Sequence, residues 1–167
     1  MPAELDLPRL LSVLHRHQVS YVLIGGLAAV YHGSPFPTED AVITPATGAE
    51  YLQRLSAALT DLEARIRTES VPDGLPFAHD AESLAAASTW NLTTQAGDLD
   101  ISFTPDGTTG YGDLAREAEP AKLYGSVVQV ASLADVIRSK QAANRPKDQR
   151  VLPTLRRILA GRDGKRE

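Results

Sequence analysis

Residues 21–43, YVLIGGLAAVYHGSPFPTEDAVI, decide the fold of this chain. They predict a short apolar strand, a break at Gly25-Gly26, a helix of one or two turns, and a second strand that begins with the carboxylate of Asp40. Two glycines let the backbone approach phosphate oxygens closely, and the free N–H groups at the start of a helix favour an anion. A carboxylate is a ligand that Mg²⁺ prefers. The stretch therefore predicts a site for a nucleoside triphosphate and a metal ion.

The composition predicts one domain without thiol chemistry. The chain has 167 residues, enough for a single substantial core, and its lack of Cys excludes disulfides, thiolate metal sites and cysteine nucleophiles. We therefore expect a hard cation bound by oxygen, Mg²⁺ or Mn²⁺, with a metal bound by some of the four histidines as the alternative. The N-terminus lacks a secretory signal pattern, and no apolar run approaches the roughly 18 residues that span a bilayer. We expect a cytoplasmic protein with no membrane contact.

Charge is divided unevenly along the chain. Ten of the 17 Lys and Arg residues lie after position 137, against three acidic residues in the same part. The preceding part has seven basic and 18 acidic residues. A basic end of this kind is typical of a protein that binds a polyanion such as RNA. A solvated helix face with a frayed tail has the same composition, so both interpretations stay open.

The spacing of apolar residues predicts an α/β (α+β) fold, with a small mixed β-sheet flanked by helices and a helical C-terminal end. Helices are predicted at 5–18, 26–31, 47–59, 80–87, 111–117, 132–144 and 146–160, and strands at 19–24, 40–43, 64–68, 90–94, 99–103 and 122–130. We expect a single domain over 1–167. Its α/β core runs to about 130, its C-terminal helices cover 131–161, and a basic tail covers 162–167.

Three motifs together resemble the nucleotidyltransferase fold of the DNA polymerase β-like superfamily. The first is Gly25-Gly26 followed by Asp40, the second is GDLDI at 97–101, and the third is SKQAANRPKD at 139–148. Within that superfamily the chain looks most like the AbiEii/MenT-type nucleotidyltransferase toxins of bacterial toxin–antitoxin systems. The matching positions run from about 21 to 159, nearly the whole chain.

The resemblance implies that Asp40 and Asp100 bind the metal. One position departs from the pattern, because Val42 stands where the family has the second Asp of Asp-x-Asp. Residues two apart on a strand face the same side, so that motif normally presents two carboxylates to the metals, and Val cannot ligate a metal. Three alternatives stay open: Asp98 compensates, the enzyme works weakly or with a single metal, or this chain is inactive.

The resemblance also assigns residues to the nucleotide. The implied catalytic residues are Asp40, Lys140 and Asp148, and the implied nucleotide-binding residues are Gly25, Gly26, Ser34, Lys140 and Arg145. An ammonium group is the right point charge for triphosphate oxygens, and Asp148 is implied to position Lys140 or the substrate. Asp148 has an equal alternative as an acid that complements the dipole of the helix opened by Pro146.

Thr38 precedes Asp40 by two residues, and some toxins of this type are silenced by phosphorylation near this position. The resemblance therefore implies Thr38 as a site of phospho-regulation. A phosphate there would add about −1.5 to −2 charges beside the metal ligands.

The function implied is that of a toxin that transfers nucleotides from an NTP to RNA, with the tRNA 3′ acceptor end as the expected target, and so blocks translation. The implied partners are tRNA or other RNA, the NTP and a cognate antitoxin, including one of the kinase type. Two alternatives stay open. One is a nucleotidyltransferase that acts on a protein hydroxyl, and the other is a weakened or inactive module that binds a nucleotide or a partner.

Overall fold

Seven helices and seven strands form a layered α/β structure in the computed structural model, which describes residues 3–164. The helices are α1 (Leu7–Arg16), α2 (Gly25–Tyr31), α3 (Ala49–Asp61), α4 (Ala81–Ala85), α5 (Tyr111–Glu117), α6 (Leu133–Ala143) and α7 (Pro146–Gly164). The strands are β1 (Tyr21–Ile24), β2 (Asp40–Pro45), β3 (Arg65–Ile66), β4 (Thr89–Thr94), β5 (Gly97–Ser102), β6 (Glu119–Leu123) and β7 (Ser126–Val130).

All seven strands belong to one mixed sheet in the order β3-β4-β5-β2-β1-β7-β6. β2 is antiparallel to β1 and parallel to β5, and β4 and β5 form a hairpin. The register places Asp40 opposite Asp98 and Val42 opposite Asp100. Because side chains alternate along a strand, these four side chains share one face of the sheet.

The opposite face of these two strands is part of the core. Ala41, Ile43, Leu99 and Ile101 are almost fully buried, as the alternating burial of β5 requires. Helix α2 packs on β1 and β2 and contacts α6, which packs against α7, while α3 contacts α1, α4 and β2. Within residues 3–164 no helix is both long enough and apolar enough to cross a bilayer. The predicted mixed sheet flanked by helices is confirmed.

One predicted strand is wrong. The segment 122–130 was expected to be continuous, but β6 and β7 are two antiparallel strands joined at Tyr124 and Gly125. These two residues have φ of 50° and 85°, the positive values that a two-residue type I′ hairpin turn requires. The other predicted bounds differ from the observed ones by a few residues at the ends of elements, apart from α7.

The C-terminal helix is longer than the sequence predicts. The spacing predicts an end at Ala160 with Gly161 as terminator, yet α7 continues to Gly164. Arg162 lies in this extension and donates a hydrogen bond to the backbone oxygen of His32 at 3.1 Å. The same guanidinium lies 3.1 Å from Nδ1 of His32. These contacts hold the last turn of α7, so residues 162–164 of the expected tail are helical, and 165–167 lie outside the described residues.

Candidate nucleotide-binding site

A cavity of about 490 Å³ opens where β1, α2, β2 and β5 face α6 and the start of α7. It brings together most of the residues that the sequence singles out. Its lining includes Gly25, Gly26, Ser34, Thr38, Asp40, Val42, Asp100, Lys140 and Arg145. Of the predicted site residues Asp148 is the exception, because it lies behind the wall of the cavity rather than on it.

The two glycines stand at the junction of β1 and α2. Gly25 has φ +71°, a conformation that favours glycine, and a Cβ there would lie 3.0 Å from Cγ2 of Val42. A Cβ on Gly26 would lie 2.7 Å from Oγ1 of Thr38. The preceding Ile24 supplies no side-chain hydrogen bond to the start of the helix. The first N–H groups of α2 therefore lack a side-chain cap and are available to an anion.

Asp40 and Asp100 approach each other from neighbouring strands. Burial and a hydrogen bond with Asp40 together raise the pKa of Asp100 to about 7, against the opposing effect of Arg67. Two carboxyl groups that share a hydrogen bond compete for one proton, because two adjacent negative charges repel each other. The pair therefore has the chemistry of a cation site. Val42 lies opposite Asp100 and contributes an apolar side chain to the same cavity.

Arg67 is a site residue that the sequence analysis missed. Its Nη2 donates to Oδ1 of Asp100 at 2.6 Å, and its Nη1 lies 3.4 Å from Oδ2 of Asp98. Asp98 is therefore turned toward Arg67, and it is not among the residues that line the cavity. The contact is invisible in the sequence because it crosses β4, which separates the Arg67 segment from β5. The alternation of Ile66 with two arginines was the one available signal.

The residues present fit one divalent cation. Among residues 3–164 no group of three or more His, Asp or Glu side chains is arranged to hold a metal ion. Asp40 and Asp100 offer hard oxygen ligands from two strands, which suits a single Mg²⁺ or Mn²⁺ that keeps several waters. A pair of ions is normally bridged by further carboxylates, and Val42 offers only methyl groups at this place on β2.

Behind the cavity, Asp148 holds two cations in place. Its side chain is fully buried and accepts hydrogen bonds from N, Nε and Nη2 of Arg145 at 3.1, 2.7 and 3.3 Å. Nζ of Lys140 lies 3.6 Å from Oδ1 of the same carboxylate. Burial alone would raise the pKa of Asp148, but the hydrogen bonds from Arg145 and the charges of both cations lower it overall. Asp148 thus positions both side chains.

Lys140 is the more buried of the two cations. Burial lowers its pKa, the charge of Asp148 opposes that effect, and the nearby Arg145 and Lys147 reinforce it. Since one carboxylate balances two cations here, a positive charge is left over on this side of the cavity. An anionic group such as a phosphate is the complementary ligand.

The comparisons with known proteins concern the fold. No protein-family model matches the chain, and no curated protein matches it. The solved structure of the lincosamide antibiotic adenylyltransferase LnuA, lincomycin-bound, is similar at 16% identity and a TM-score of 0.59, over 92% of this chain and 96% of that one. The antibiotic-resistance factor ANT(2'')-Ia is similar at 15% identity and a TM-score of 0.53, over 94% and 89%. The chain has the nucleotidyltransferase fold.

Within this nucleotidyltransferase fold, the loop between α2 and β2 carries the two predicted hydroxyls. Oγ1 of Thr38 donates to the backbone oxygen of Asp40 at 3.3 Å and lies 3.5 Å from its Oδ1. Ser34 is buried, and its Oγ accepts a hydrogen bond from N of Phe36 at 3.3 Å, so it caps the loop while also lining the cavity. Nε2 of the buried His32 lies 2.7 Å from the backbone oxygen of Ala131, a structural contact.

Proposed function

We propose that this chain is a nucleotidyltransferase toxin that uses an NTP and a divalent cation to add nucleotides to RNA, with the tRNA 3′ end as its target. A cognate antitoxin is the expected partner. The observation that carries the proposal is the convergence, in one cavity, of a glycine pair, two facing carboxylates and two cations held by a buried acid. Each of these groups has a complementary part in an NTP–metal complex.

In the proposed reaction, different residues of the chain bind the phosphates and the cation. The uncapped N–H groups after Gly25 bind phosphate oxygens, and Lys140 and Arg145 neutralise the triphosphate charge. Asp40 and Asp100 would hold the cation, which supplies further charge neutralisation when it is bound. The acceptor hydroxyl oxygen bonds to the α-phosphorus while the bond to the β-phosphate oxygen breaks. Pyrophosphate leaves with the electron pair of that bond, and the hydroxyl proton passes to solvent.

A row of cations on the outer face of α7 is the feature that favours RNA as the acceptor. Lys147, Arg150 and Arg157 are exposed and recur at helical spacing on the side opposite the buried Leu152 and Leu155. At 1.5 Å per residue the three cations extend over about 15 Å, a length that covers several phosphates of one strand. Lys147 also lines the cavity, so the row of cations begins at the proposed active site. Thr38, at the mouth of this site, is retained as the proposed phospho-regulation residue.

A second candidate is nucleotidyl transfer to a hydroxyl of a small molecule. It is favoured by the similarity of nearly the full chain to LnuA, named as a lincosamide antibiotic adenylyltransferase. Asp106 and Asp135 also line the cavity, and an acidic residue such as Asp106 would suit a cationic acceptor. Because the α7 row of cations has no use in this reaction, the two candidates predict different effects when that row is removed.

The test is transfer of label from each α-labelled NTP in Mg²⁺ to total tRNA, to lincomycin and to a cell protein extract. The proposal predicts label on tRNA, steep loss of transfer with added salt, and loss of transfer in a variant with Lys147, Arg150 and Arg157 all changed to Gln. Label on lincomycin that survives those three changes would support the second candidate. Label on protein would indicate a protein hydroxyl, and NTP binding without any transfer would indicate an inactive binding module.

A further inference from the structure

The carboxylate face of the sheet already has a cation of its own. Arg67 follows β3, and its backbone N donates to the oxygen of Asn91 at 3.0 Å on the neighbouring β4. Its Nη1 donates to the oxygen of Leu92 at 3.2 Å, so the side chain is held as it passes over β4. From there the guanidinium reaches both Asp98 and Asp100 on β5, with a shorter contact to Asp100. Both ends of this side chain are therefore fixed.

The charges around it are out of balance. Asp40, Asp98 and Asp100 project from neighbouring positions on one face of β2 and β5. Within residues 3–164, Arg67 forms ion pairs with Asp98 and Asp100, and no ion pair reaches Asp40. Lys140, on another wall of the cavity, is paired with Asp148 instead. Three carboxylates at such short range repel each other, and one guanidinium offsets part of that repulsion.

Val42 and Arg67 act on Asp100 from its two sides. Val42 lies opposite Asp100 on β2 and removes the carboxylate that would bridge a second ion. Arg67 binds Oδ1 of Asp100 at 2.6 Å, so a cation at that oxygen has to displace or repel the guanidinium. Both features reduce the number of divalent cations that this face can hold.

We propose that Arg67 is the built-in counter-cation of this site: it takes the place of a second divalent cation and weakens the binding of the first. The inference rests on the proposed function only in taking Asp40 and Asp100 as the cation ligands. Arg67 contacts Asp100, one of those ligands, rather than a substrate, so it is a positioning residue. Asp98 then serves to hold Arg67 and is not a ligand of the ion.

The test is Mn²⁺ binding, measured by titration calorimetry and electron paramagnetic resonance on the whole chain without nucleotide. Arg67→Met keeps the length of the side chain and removes its charge. It should bind Mn²⁺ at least about ten-fold more tightly, because a positive charge a few ångströms from the ion is removed. Arg54→Met is the matched control, since Arg54 forms a 2.6 Å pair with Glu50 on the surface of α3. It should bind Mn²⁺ like the original chain.

Two further measurements keep the inference open to refutation. Without a metal, Arg67→Met should unfold at a lower temperature than the Arg54→Met control, and Mn²⁺ should raise its melting temperature more than that of the original chain. Asp98→Asn should bind Mn²⁺ within about two-fold of the original chain, because the charge of Asp98 is offset by Arg67 and its side chain does not line the cavity.

Equal Mn²⁺ affinity in Arg67→Met and the original chain would overturn the proposal. If Arg67→Met does not fold even in Mn²⁺, the Asp98→Asn result decides. A ten-fold or larger loss of affinity there would show that Asp98 supports cation binding rather than only holding Arg67, and it would refute the inference. These titrations contain no acceptor. An absence of nucleotidyl transfer would therefore leave the inference standing, and its failure would leave the transfer proposal untouched.

Discussion

The buried carboxylate of Asp148 gives the most quantitative prediction. Asp148→Asn keeps the shape of the side chain but replaces an anion that accepts three hydrogen bonds from Arg145 and lies 3.6 Å from Lys140. Removing one partner of a buried ion pair costs about 3–5 kcal/mol. Arg145 is 55% exposed and can turn to water, so we expect the lower end, about 3 kcal/mol. For a chain of this size that corresponds to a fall in Tm of about 6–12 °C.

The assay is urea unfolding at pH 7, with Asp163→Asn as the control. Asp163 is an exposed acid near the end of the same helix, and its change should alter the free energy of unfolding by less than about 0.5 kcal/mol. Because the pKa of Asp148 is lowered in the folded chain, its contribution is present above the ordinary pKa of a carboxyl and is lost as the pH falls through the folded value. The difference between Asp148→Asn and the original chain should therefore shrink below about pH 4.

Two results would refute this reasoning. One is an Asp148→Asn chain within about 1 kcal/mol of the original at pH 7, a cost too small for a buried paired charge. The other is a stability difference that grows as the pH falls.

Further predictions concern the glycines and the end of α7. Gly26→Ala should destabilise the chain by about 1–3 kcal/mol in urea unfolding, because its Cβ would lie 2.7 Å from Oγ1 of Thr38. Gly161→Ala has nothing within 4 Å inside α7 and should stabilise it by about 0.5–1 kcal/mol, so effects of the same sign in both variants would contradict the packing argument. Arg162→Met loses its bonds to His32 and should cost about 1 kcal/mol and speed hydrogen exchange in the last turn of α7, whereas unchanged exchange would show that the contact does not hold that turn.

Local patterns were enough to predict most of the fold. The apolar strand, the glycine pair and the acid-headed second strand lie within 21–43, and each has a distinct local signature. Helix α5 was predicted with the bounds Tyr111–Glu117 that the structure has, and α6 differs from its predicted bounds by one residue at each end. The fold class could be predicted because the periodicity of apolar residues that distinguishes strands from helices is a property of consecutive residues.

The errors arose where a turn or a distant contact decides the structure. The β6–β7 turn uses Tyr124 in a left-handed conformation, which a non-glycine residue seldom adopts, so Gly125 alone was too weak a signal. Helix α7 runs past Gly161 because Arg162 is bound to a residue 130 positions earlier. A local helix-stop rule cannot include such a contact.

The candidate site was also predictable where sequence motifs define it and unpredictable where distant contacts do. The residues implied by the motifs mostly meet in one cavity, but the relation of Asp148 to that cavity required the structure. Arg67 joins Asp98 and Asp100 across an intervening strand, and sheet order cannot be read from spacing. The sequence alone shows that Val42 cannot ligate a metal. Its position beside Gly25 and opposite Asp100 is known only from the structure.

The most direct test of the central claim compares nucleotidyl transfer by the original chain, by Val42→Asp and by Val42→Asp combined with Asp40→Asn. Each is incubated with total tRNA, Mg²⁺ and each α-labelled NTP in turn. Val42→Asp restores a carboxylate beside Asp100, and we predict at least about ten-fold faster labelling of tRNA than with the original chain, abolished when Asp40 is also changed. Correctly folded variants that transfer no label to tRNA, with or without the restored carboxylate, would contradict the account.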